Sequence, residues 1–300
     1  MNNYKIKKYV SKYIKTNDNK YVKNIYSHIG GSNYSIDDLN NILKYINEQI
    51  KNTDHNQKQN DKPKYCILLI GPPASGKSKA FDLGISFINR IDNIDLSKSN
   101  FLEISIDKIV ENTQEWINFK KSIDENTYLN NEQKIQQMNE KYFEIRKKAD
   151  PIFEIFLNYV DLLGLNFSLE TVGDKIDWYI DRLKELSKSN RTKFKFVCMY
   201  PYTDDVDMLL ERADKRALTS GRYILKDYLN EQLINDVSDK YNTKMLSIAS
   251  YFFIMCKYDA KIPLNALLKD LIEKHVISIF LNCDKYCSSD GLFKNLLMEE

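Results

Sequence analysis

The sequence predicts an α/β fold in which helices cover both faces of a parallel β-sheet. From residue 65 onward, short and nearly continuous apolar runs alternate with longer segments of helical periodicity. This alternation is typical of parallel strands buried on both faces. A glycine-rich turn also joins the first apolar run directly to a helical segment. The chain has 300 residues, 43% of them hydrophobic, which is enough to bury a core without disulfides or metals.

The first 50 residues are predicted to form a small helical region, because apolar side chains recur there at helical spacing. Ser35, followed three residues later by Asp38, predicts a capping box at the start of its last helix. Residues 51–64 contain no apolar side chain larger than proline, so we interpret them as a linker. Residues 1–60 hold ten lysines and five acidic residues interleaved with tyrosine. This pattern leaves open a contact with nucleic acid or a solvated lysine face over an aromatic core.

The α/β domain is predicted to span residues 65–260, followed by a helical C-terminal extension over 261–300. Its predicted strands are the apolar runs at 65–70, 101–106, 166–169, 194–199 and 251–256. Its predicted helices are the periodic segments at 77–90, 108–121, 131–163, 174–188, 203–218, 224–240 and 264–281. Asp150-Pro151 is expected to break the segment 131–163 into two helices, because proline disfavours helix at the residue before it.

The turn after the first strand carries the strongest functional signal. It spells G-x-x-x-x-G-K-S, a P-loop, for which about 0.003 chance matches are expected in a chain of this composition. Backbone amides of such a turn, with the following helix N-terminus, hold phosphate oxygens. Lys77 would bridge the β- and γ-phosphates, and the Ser78 hydroxyl would ligate Mg²⁺. The predicted ligands are therefore ATP and Mg²⁺, and the predicted nucleotide-binding residues are Gly71, Pro72, Pro73, Ala74, Ser75, Gly76, Lys77 and Ser78.

Two acidic residues follow later predicted strands. Asp107 follows the run at 101–106, and Glu170 follows the run at 166–169. The carboxyl ends of parallel strands meet at the sheet edge where the P-loop lies, so both carboxylates are expected near it. For Asp107 the residues alone leave three roles open, namely Mg²⁺ binding, general base catalysis and capping of the helix at 108–121. Glu170 is expected to bind substrate or organise metal-bound waters, with another helix cap or a surface acid as the alternatives.

Arginine is rare in this chain, which has seven arginines against 37 lysines. Three of the seven, Arg212, Arg216 and Arg222, lie within eleven residues. A planar guanidinium can grip two phosphoryl oxygens, so this segment is predicted to be an arginine-bearing lid. Arg216 and Arg222 are favoured as catalytic, and Arg212 is assigned to substrate binding. The alternative is local pairing with Glu211 and Asp214.

The order of these motifs resembles the zeta-toxin family of P-loop kinases. The matching segments are GPPASGKS, the strand ending in SID, NFSLET and RADKRALTSGR. The resemblance covers about residues 65–225 and implies a three-layer P-loop kinase core. It implies Asp107 as general base, Glu170 and Thr171 near the acceptor, and Arg216 and Arg222 on the phosphates. It also implies a protein inhibitor as a partner, and bacterial members phosphorylate a UDP-amino-sugar. The segment GRYILK departs from the family by lacking its histidine and proline.

We therefore predict a kinase that transfers the γ-phosphoryl of ATP to a hydroxyl of a small molecule, with a nucleotide-sugar as one candidate. The alternatives are a nucleic-acid-linked enzyme such as a polynucleotide kinase, and a non-catalytic nucleotide-binding module. Five scattered cysteines without a C-x-x-C pair indicate a reducing compartment. No apolar run is long enough to cross a bilayer, and no signal peptide is recognisable, so a cytoplasmic location is expected.

Overall fold

The structure is a computed structural model that describes residues 3–29, 35–53, 63–173, 176–188, 192–201, 205–220, 223–224, 226–230, 248–256 and 277–281. Within these residues, six parallel strands form one sheet in the order β2-β3-β1-β4-β5-β6. The strands are β1 (Lys64–Ile70), β2 (Phe101–Ile104), β3 (Asn166–Thr171), β4 (Phe194–Pro201), β5 (Tyr251–Cys256) and β6 (Ile277–Leu281). Because β1 lies between β3 and β4, the strand order reverses beside it. Ligands of open α/β sheets bind at such a switch point.

Ten α-helices have defined bounds in the described part of the chain, in which residues 226–230 are also helical. Three precede the sheet, namely α1 (Asn3–Thr16), α2 (Lys20–His28) and α3 (Ile36–Asn52). The others are α4 (Lys77–Ile91), α5 (Ile106–Glu111), α6 (Gln114–Glu125), α7 (Asn131–Arg146), α8 (Asp150–Leu163), α9 (Ile176–Ser187) and α10 (Val206–Ser220). None of these helices is both long and apolar enough to cross a membrane. The predicted break at Asp150-Pro151 is confirmed, because α8 begins there and holds the proline in its first turn.

The predicted three-layer arrangement is confirmed by the way side chains alternate along β1. Cys66, Leu68 and Ile70 pack into one hydrophobic cluster, whereas Tyr65, Ile67 and Leu69 pack into another. Successive side chains of a strand point to opposite faces, so the two clusters lie on the two faces of the sheet. The larger cluster contains residues of α8 and α9, and the smaller one contains residues of α4.

The predicted N-terminal helices pack into the larger of these two clusters. Ile6, Ile25 and Leu43 are fully buried in it together with residues of the sheet. The predicted capping box of Ser35 and Asp38 is confirmed. The Asp38 carboxylate also accepts hydrogen bonds from the amides of Gln114 (2.6 Å) and Glu115 (3.3 Å) at the start of α6. One buried carboxylate therefore caps α3 and fixes α6 against it. Helix α3 also extends into the predicted linker, of which residues 54–62 lie outside the described residues.

Two boundaries around Asp107 differ from the prediction. Strand β2 ends at Ile104, because Ser105 caps a helix with its side chain, which accepts from the Lys108 amide. Asp107 therefore lies in the first turn of α5 rather than at a strand end, and its proposed role as the cap is wrong. The predicted helix over 108–121 is two helices, since Thr113 accepts from the Trp116 amide and starts α6.

The end of the predicted helix over 264–281 is wrong, because Ile277–Leu281 forms β6. A short apolar run such as ISIFL fits either a helix or a strand by periodicity alone. Parallel pairing with β5 decides in favour of the strand. The other residues of the predicted C-terminal extension lie outside the described residues. Residues 231–247, which include most of the predicted helix over 224–240, lie outside them as well.

Candidate active site

A pocket with an open volume of about 700 Å³ lies at the carboxyl edge of the sheet. We call it the central pocket. Its polar wall combines Lys77 from α4, Asp107 from α5, Glu170 from β3 and Arg216 from α10. These four predicted residues are separated by up to 139 positions in the sequence, from 77 to 216, and the sheet topology brings them together. Pro73 and Thr171 also line the pocket, as predicted for the P-loop and the acceptor side.

The P-loop connects β1 to α4 through a backbone that takes left-handed conformations. Ala74 has a φ of 62° and Gly76 a φ of 97°, a region in which glycine is favoured. At Gly71 the neighbours are close, since a Cβ there would lie 3.2 Å from the Pro201 carbonyl oxygen. At Gly76 the space that a Cβ would enter is open. The loop is therefore close to β4 at its start and has open space beside Gly76 at its end.

Lys77 is the most buried charged group of the central pocket. Only 6% of its surface is exposed, and its Nζ donates to the carbonyl oxygens of Gly71 and Pro72, both at 2.8 Å. The same Nζ lies 3.5 Å from Oε1 of Glu170. Burial lowers the pKa of Lys77, while the negative charges of Glu170 and Asp107 oppose that shift. An anion that enters beside Lys77 would compensate its buried charge further.

Asp107 is held by a residue that the sequence analysis did not identify. The hydroxyl of Tyr142, on α7, donates a hydrogen bond to Oδ1 of Asp107. The Tyr142 ring packs edge-on against Trp116 and Phe143, with ring centroids 5.7 and 5.8 Å apart. Tyr142 is buried and lines the central pocket. The carboxyl of Asp107 is thus connected to a packed aromatic group on α6 and α7.

Strand β3 places Glu170 and Thr171 beside the start of the P-loop. In the parallel register, Leu69 pairs with Glu170 and Ile70 pairs with Thr171. The Gly71 amide continues this ladder by donating to the Thr171 carbonyl oxygen at 3.2 Å. The buried Thr171 hydroxyl accepts from the Gly173 amide at 3.0 Å. The backbone of β3 therefore fixes the entry to the loop while Glu170 faces the pocket.

The three predicted arginines have different positions. Arg216 lines the central pocket. Arg212 is exposed on α10 and is not among the residues that form the pocket wall in the described part of the chain. Arg222 lies outside the described residues.

The sequence analysis missed a second arginine of the pocket, Arg146 of α7. It follows Tyr142 by four residues, so both lie on one face of the helix. The rarity of arginine could have drawn attention to it, since it is one of only seven. Aromatic side chains complete the wall, and they are Tyr142, Phe143, Tyr223 and Tyr228.

The residues present fit ATP and Mg²⁺. The open side of the loop at Gly76, the buried cation of Lys77 and the N-terminus of α4 converge at one place, which suits a polyphosphate. Ser78 is exposed in the first turn of α4. Among the described residues, no three His, Cys, Asp or Glu side chains form a ready metal site. Mg²⁺ does not require one, because it commonly takes few protein ligands and completes its shell with phosphates and water.

Fold and loop together define the chain as an α/β P-loop protein. No known protein-family model matches it. It is 24% identical over 254 residues to an uncharacterised protein of Acanthamoeba polyphaga mimivirus, a match that covers 75% of this chain and 71% of that one. A solved structure from the PezAT chromosomal toxin–antitoxin system of Streptococcus pneumoniae aligns with 86% of this chain and 92% of its own. Its TM-score is 0.48 at 10% identity, so the fold assignment rests on this chain's own strand order and loop.

Proposed function

We propose that this protein is an ATP-dependent phosphotransferase that moves the γ-phosphoryl group to a hydroxyl of a small molecule. One observation carries the proposal, which is that Lys77 of the P-loop and Asp107 line the same pocket. A phosphate-binding cation and a carboxylate on one cavity are the two groups that transfer to an alcohol needs. Their shared pocket also contains Glu170 and Arg216.

The P-loop residues would bind the donor. The loop amides, the N-terminus of α4 and the Lys77 ammonium attract the β- and γ-phosphates. The Ser78 hydroxyl would ligate Mg²⁺, which neutralises phosphate charge when bound. Lys77 would exchange carbonyl contacts at Gly71 and Pro72 for phosphate oxygens.

The other acidic and basic residues of the central pocket would act on the acceptor and on the transferred group. Asp107 would take the proton from the acceptor hydroxyl as the new oxygen–phosphorus bond forms and the bond to ADP breaks. Arg216 would stabilise the negative charge on the transferred group. Glu170 and Thr171 would position the acceptor. Arg222 would join Arg216 from the lid, and the exposed Arg212 would bind substrate at the periphery.

The resemblance of the motifs to the zeta-toxin kinases supports the same chemistry. It supplies a nucleotide-sugar as one acceptor to test and a protein inhibitor as a partner to seek. A cytoplasmic location is part of the proposal. Among the N-terminal tyrosines, Tyr13 is buried in the core, whereas Tyr4 is 77% exposed.

A ligand screen followed by a turnover assay tests the proposal. Thermal unfolding would be measured with ATP–Mg²⁺, other nucleotides and a panel of hydroxyl-bearing metabolites, and ADP release would then be measured with each ligand that stabilises the protein. We expect stabilisation by ATP–Mg²⁺ and acceptor-dependent ADP release. The Lys77→Met variant should lose both. Stabilisation by ATP without ADP release above background for any acceptor would favour the non-catalytic binding module.

A further inference from the structure

We infer that Tyr142 is a positioning residue that fixes the carboxyl of Asp107 for proton transfer. The inference rests on the proposed function for its catalytic meaning, and on geometry for the contact itself. The Tyr142 hydroxyl donates to Oδ1 of Asp107.

The ring of Tyr142 has little freedom to move. It is 8% exposed and packs edge-on against Trp116 of α6 and Phe143 of its own helix. A phenol fixed by such packing presents its hydroxyl in one place, because buried aromatic rings occupy few rotamers. A carboxylate in the first turn of the six-residue helix α5 gains a defined orientation from that contact.

Helix α7 and the turn that follows it are joined to α6 by ion pairs. Glu115 of α6 accepts from Lys141 at 2.5 Å, and its other oxygen lies 3.2 Å from Lys148. The N-terminus of α6 is in turn held by the Asp38 carboxylate of α3. The contacts therefore run from α3 through α6 and α7 to Asp107.

The hydroxyl of Tyr142 should also favour the charged form of Asp107, because a hydrogen bond to a carboxylate stabilises its anion. Other charged groups face the pocket from each surrounding element and stay unchanged when only this hydroxyl is removed. They are Lys77 of α4, Arg146 of α7, Glu170 of β3 and Arg216 of α10, and the titratable Tyr223 and Tyr228 line the pocket after α10. A change in the titration of Asp107 on removal of the phenol can therefore be attributed to that phenol.

The test compares Tyr142→Phe with a matched control, Tyr159→Phe. Phenylalanine keeps the ring packing and removes only the hydroxyl. Tyr159 of α8 is fully buried, and its hydroxyl has no hydrogen-bond partner among the described residues. The control thus loses the same group from a buried ring away from the pocket. Both proteins are studied as full chains, and Asp107→Asn assigns the Asp107 signal.

The first measurement needs no acceptor. The carboxyl carbon of Asp107 is followed by ¹³C NMR as a function of pH. In Tyr142→Phe we expect the midpoint to rise by about one pH unit, as for the loss of one hydrogen bond to a charged group. In Tyr159→Phe the midpoint should stay where it is in the wild type. An equal midpoint in Tyr142→Phe and wild type overturns the inference.

The second measurement is steady-state ADP release with ATP–Mg²⁺ and the acceptor found by the ligand screen. In Tyr142→Phe we expect kcat to fall about tenfold or more while KM for ATP is unchanged, as for a group that acts on the transition state. An unchanged kcat in an active protein overturns the inference and leaves the proposed function intact. If the wild type releases no ADP with any acceptor, the proposed function fails, and the NMR midpoint alone decides whether Tyr142 holds Asp107.

Discussion

Two polar clusters lie at opposite edges of the same sheet, and both combine lysine, carboxylate and tyrosine. At the amino edge, Asp92 after α4 accepts from Lys195 (2.6 Å), Tyr65 (2.8 Å) and Tyr251 (3.1 Å). We call this group the Asp92 cluster. At the carboxyl edge, Lys77, Asp107, Glu170 and Tyr142 line the central pocket. The same side-chain types therefore serve two different purposes in one molecule.

The pKa directions of the two lysines show the difference. The hydrogen bond to Asp92 raises the pKa of Lys195, so its charge is stabilised by the fold. Burial lowers the pKa of Lys77, so its charge is incompletely compensated by the fold. Burial alone would raise the pKa of Asp92, but the hydrogen bonds from Lys195, Tyr65 and Tyr251 outweigh it and keep that pKa low. The fold thus compensates the charges of the Asp92 cluster, whereas it compensates the buried Lys77 only in part, which is the condition expected of a group that binds an anionic ligand.

The largest expected contrast separates the two lysines. Lys77→Met should weaken ATP binding about 100-fold, because a buried charge that pairs with phosphate contributes about 3 kcal/mol. Lys195→Met should leave the ATP affinity unchanged and lower the free energy of unfolding instead. Titration with a fluorescent ATP analogue measures the first effect, and urea unfolding measures the second. Equal ATP affinities of the two variants would contradict the assignment of Lys77, and not Lys195, to ATP binding.

The next effect concerns the carboxylate of the Asp92 cluster. Asp92→Asn removes the charge that accepts three hydrogen bonds, so we expect the free energy of unfolding to fall by about 2 kcal/mol. Nucleotide affinity should not change, since Asp92 lies at the other edge of the sheet. Urea denaturation at neutral pH gives the loss. A variant as stable as the wild type would show that the Asp92 cluster does not contribute to the free energy of unfolding.

The difference in unfolding free energy between wild type and Asp92→Asn should also depend on pH. The folded-state pKa of Asp92 is lowered, so its contribution is present above its unfolded pKa of about 3.9 and is lost as pH falls through the folded value. The gap in unfolding free energy between wild type and Asp92→Asn should be constant between about pH 5 and 7 and narrow below about pH 4. A gap that stayed constant into this acid range would contradict a contribution from the ionised carboxylate.

The smallest expected effect concerns a single phenol. Tyr65→Phe removes one of the three donors to Asp92 and keeps the ring in the smaller hydrophobic cluster. The free energy of unfolding should fall by about 1 kcal/mol. Thermal or urea unfolding would detect it. A loss as large as that of Asp92→Asn would mean that the phenol, and not the ion pair, dominates the cluster.

Local signals predicted the part of the site that lies within one motif. The P-loop could be read from its glycine and lysine spacing, and the strands from their apolar runs. Asp107 was placed correctly at the carboxyl edge but assigned to a strand end, because the apolar run continues to Ile106 even though Ser105 is a favoured capping residue. Side chains that reach the pocket from distant elements, such as Tyr142 and Arg146, depend on tertiary packing that leaves no local pattern.

In the fold, too, local features were predictable and contacts between distant residues were not. The capping box at Ser35 and Asp38 was predictable, because both residues lie in one turn. The Asp38 carboxylate also accepts hydrogen bonds from the amides of Gln114 and Glu115. These residues are more than 70 positions from Asp38, so no local sequence pattern indicates the contact. Strand β6 was missed for a related reason, since pairing with β5 rather than local periodicity determines its conformation.

The most direct test of the central claim is the rate of phosphoryl transfer by Asp107→Asn at saturating ATP–Mg²⁺, with the acceptor found by the ligand screen. We predict a fall of about 10² to 10⁴, as for the loss of a general base, with unchanged affinity for the ATP analogue. Transfer at the wild-type rate would contradict the assignment of Asp107 as the base that shares a pocket with the P-loop lysine.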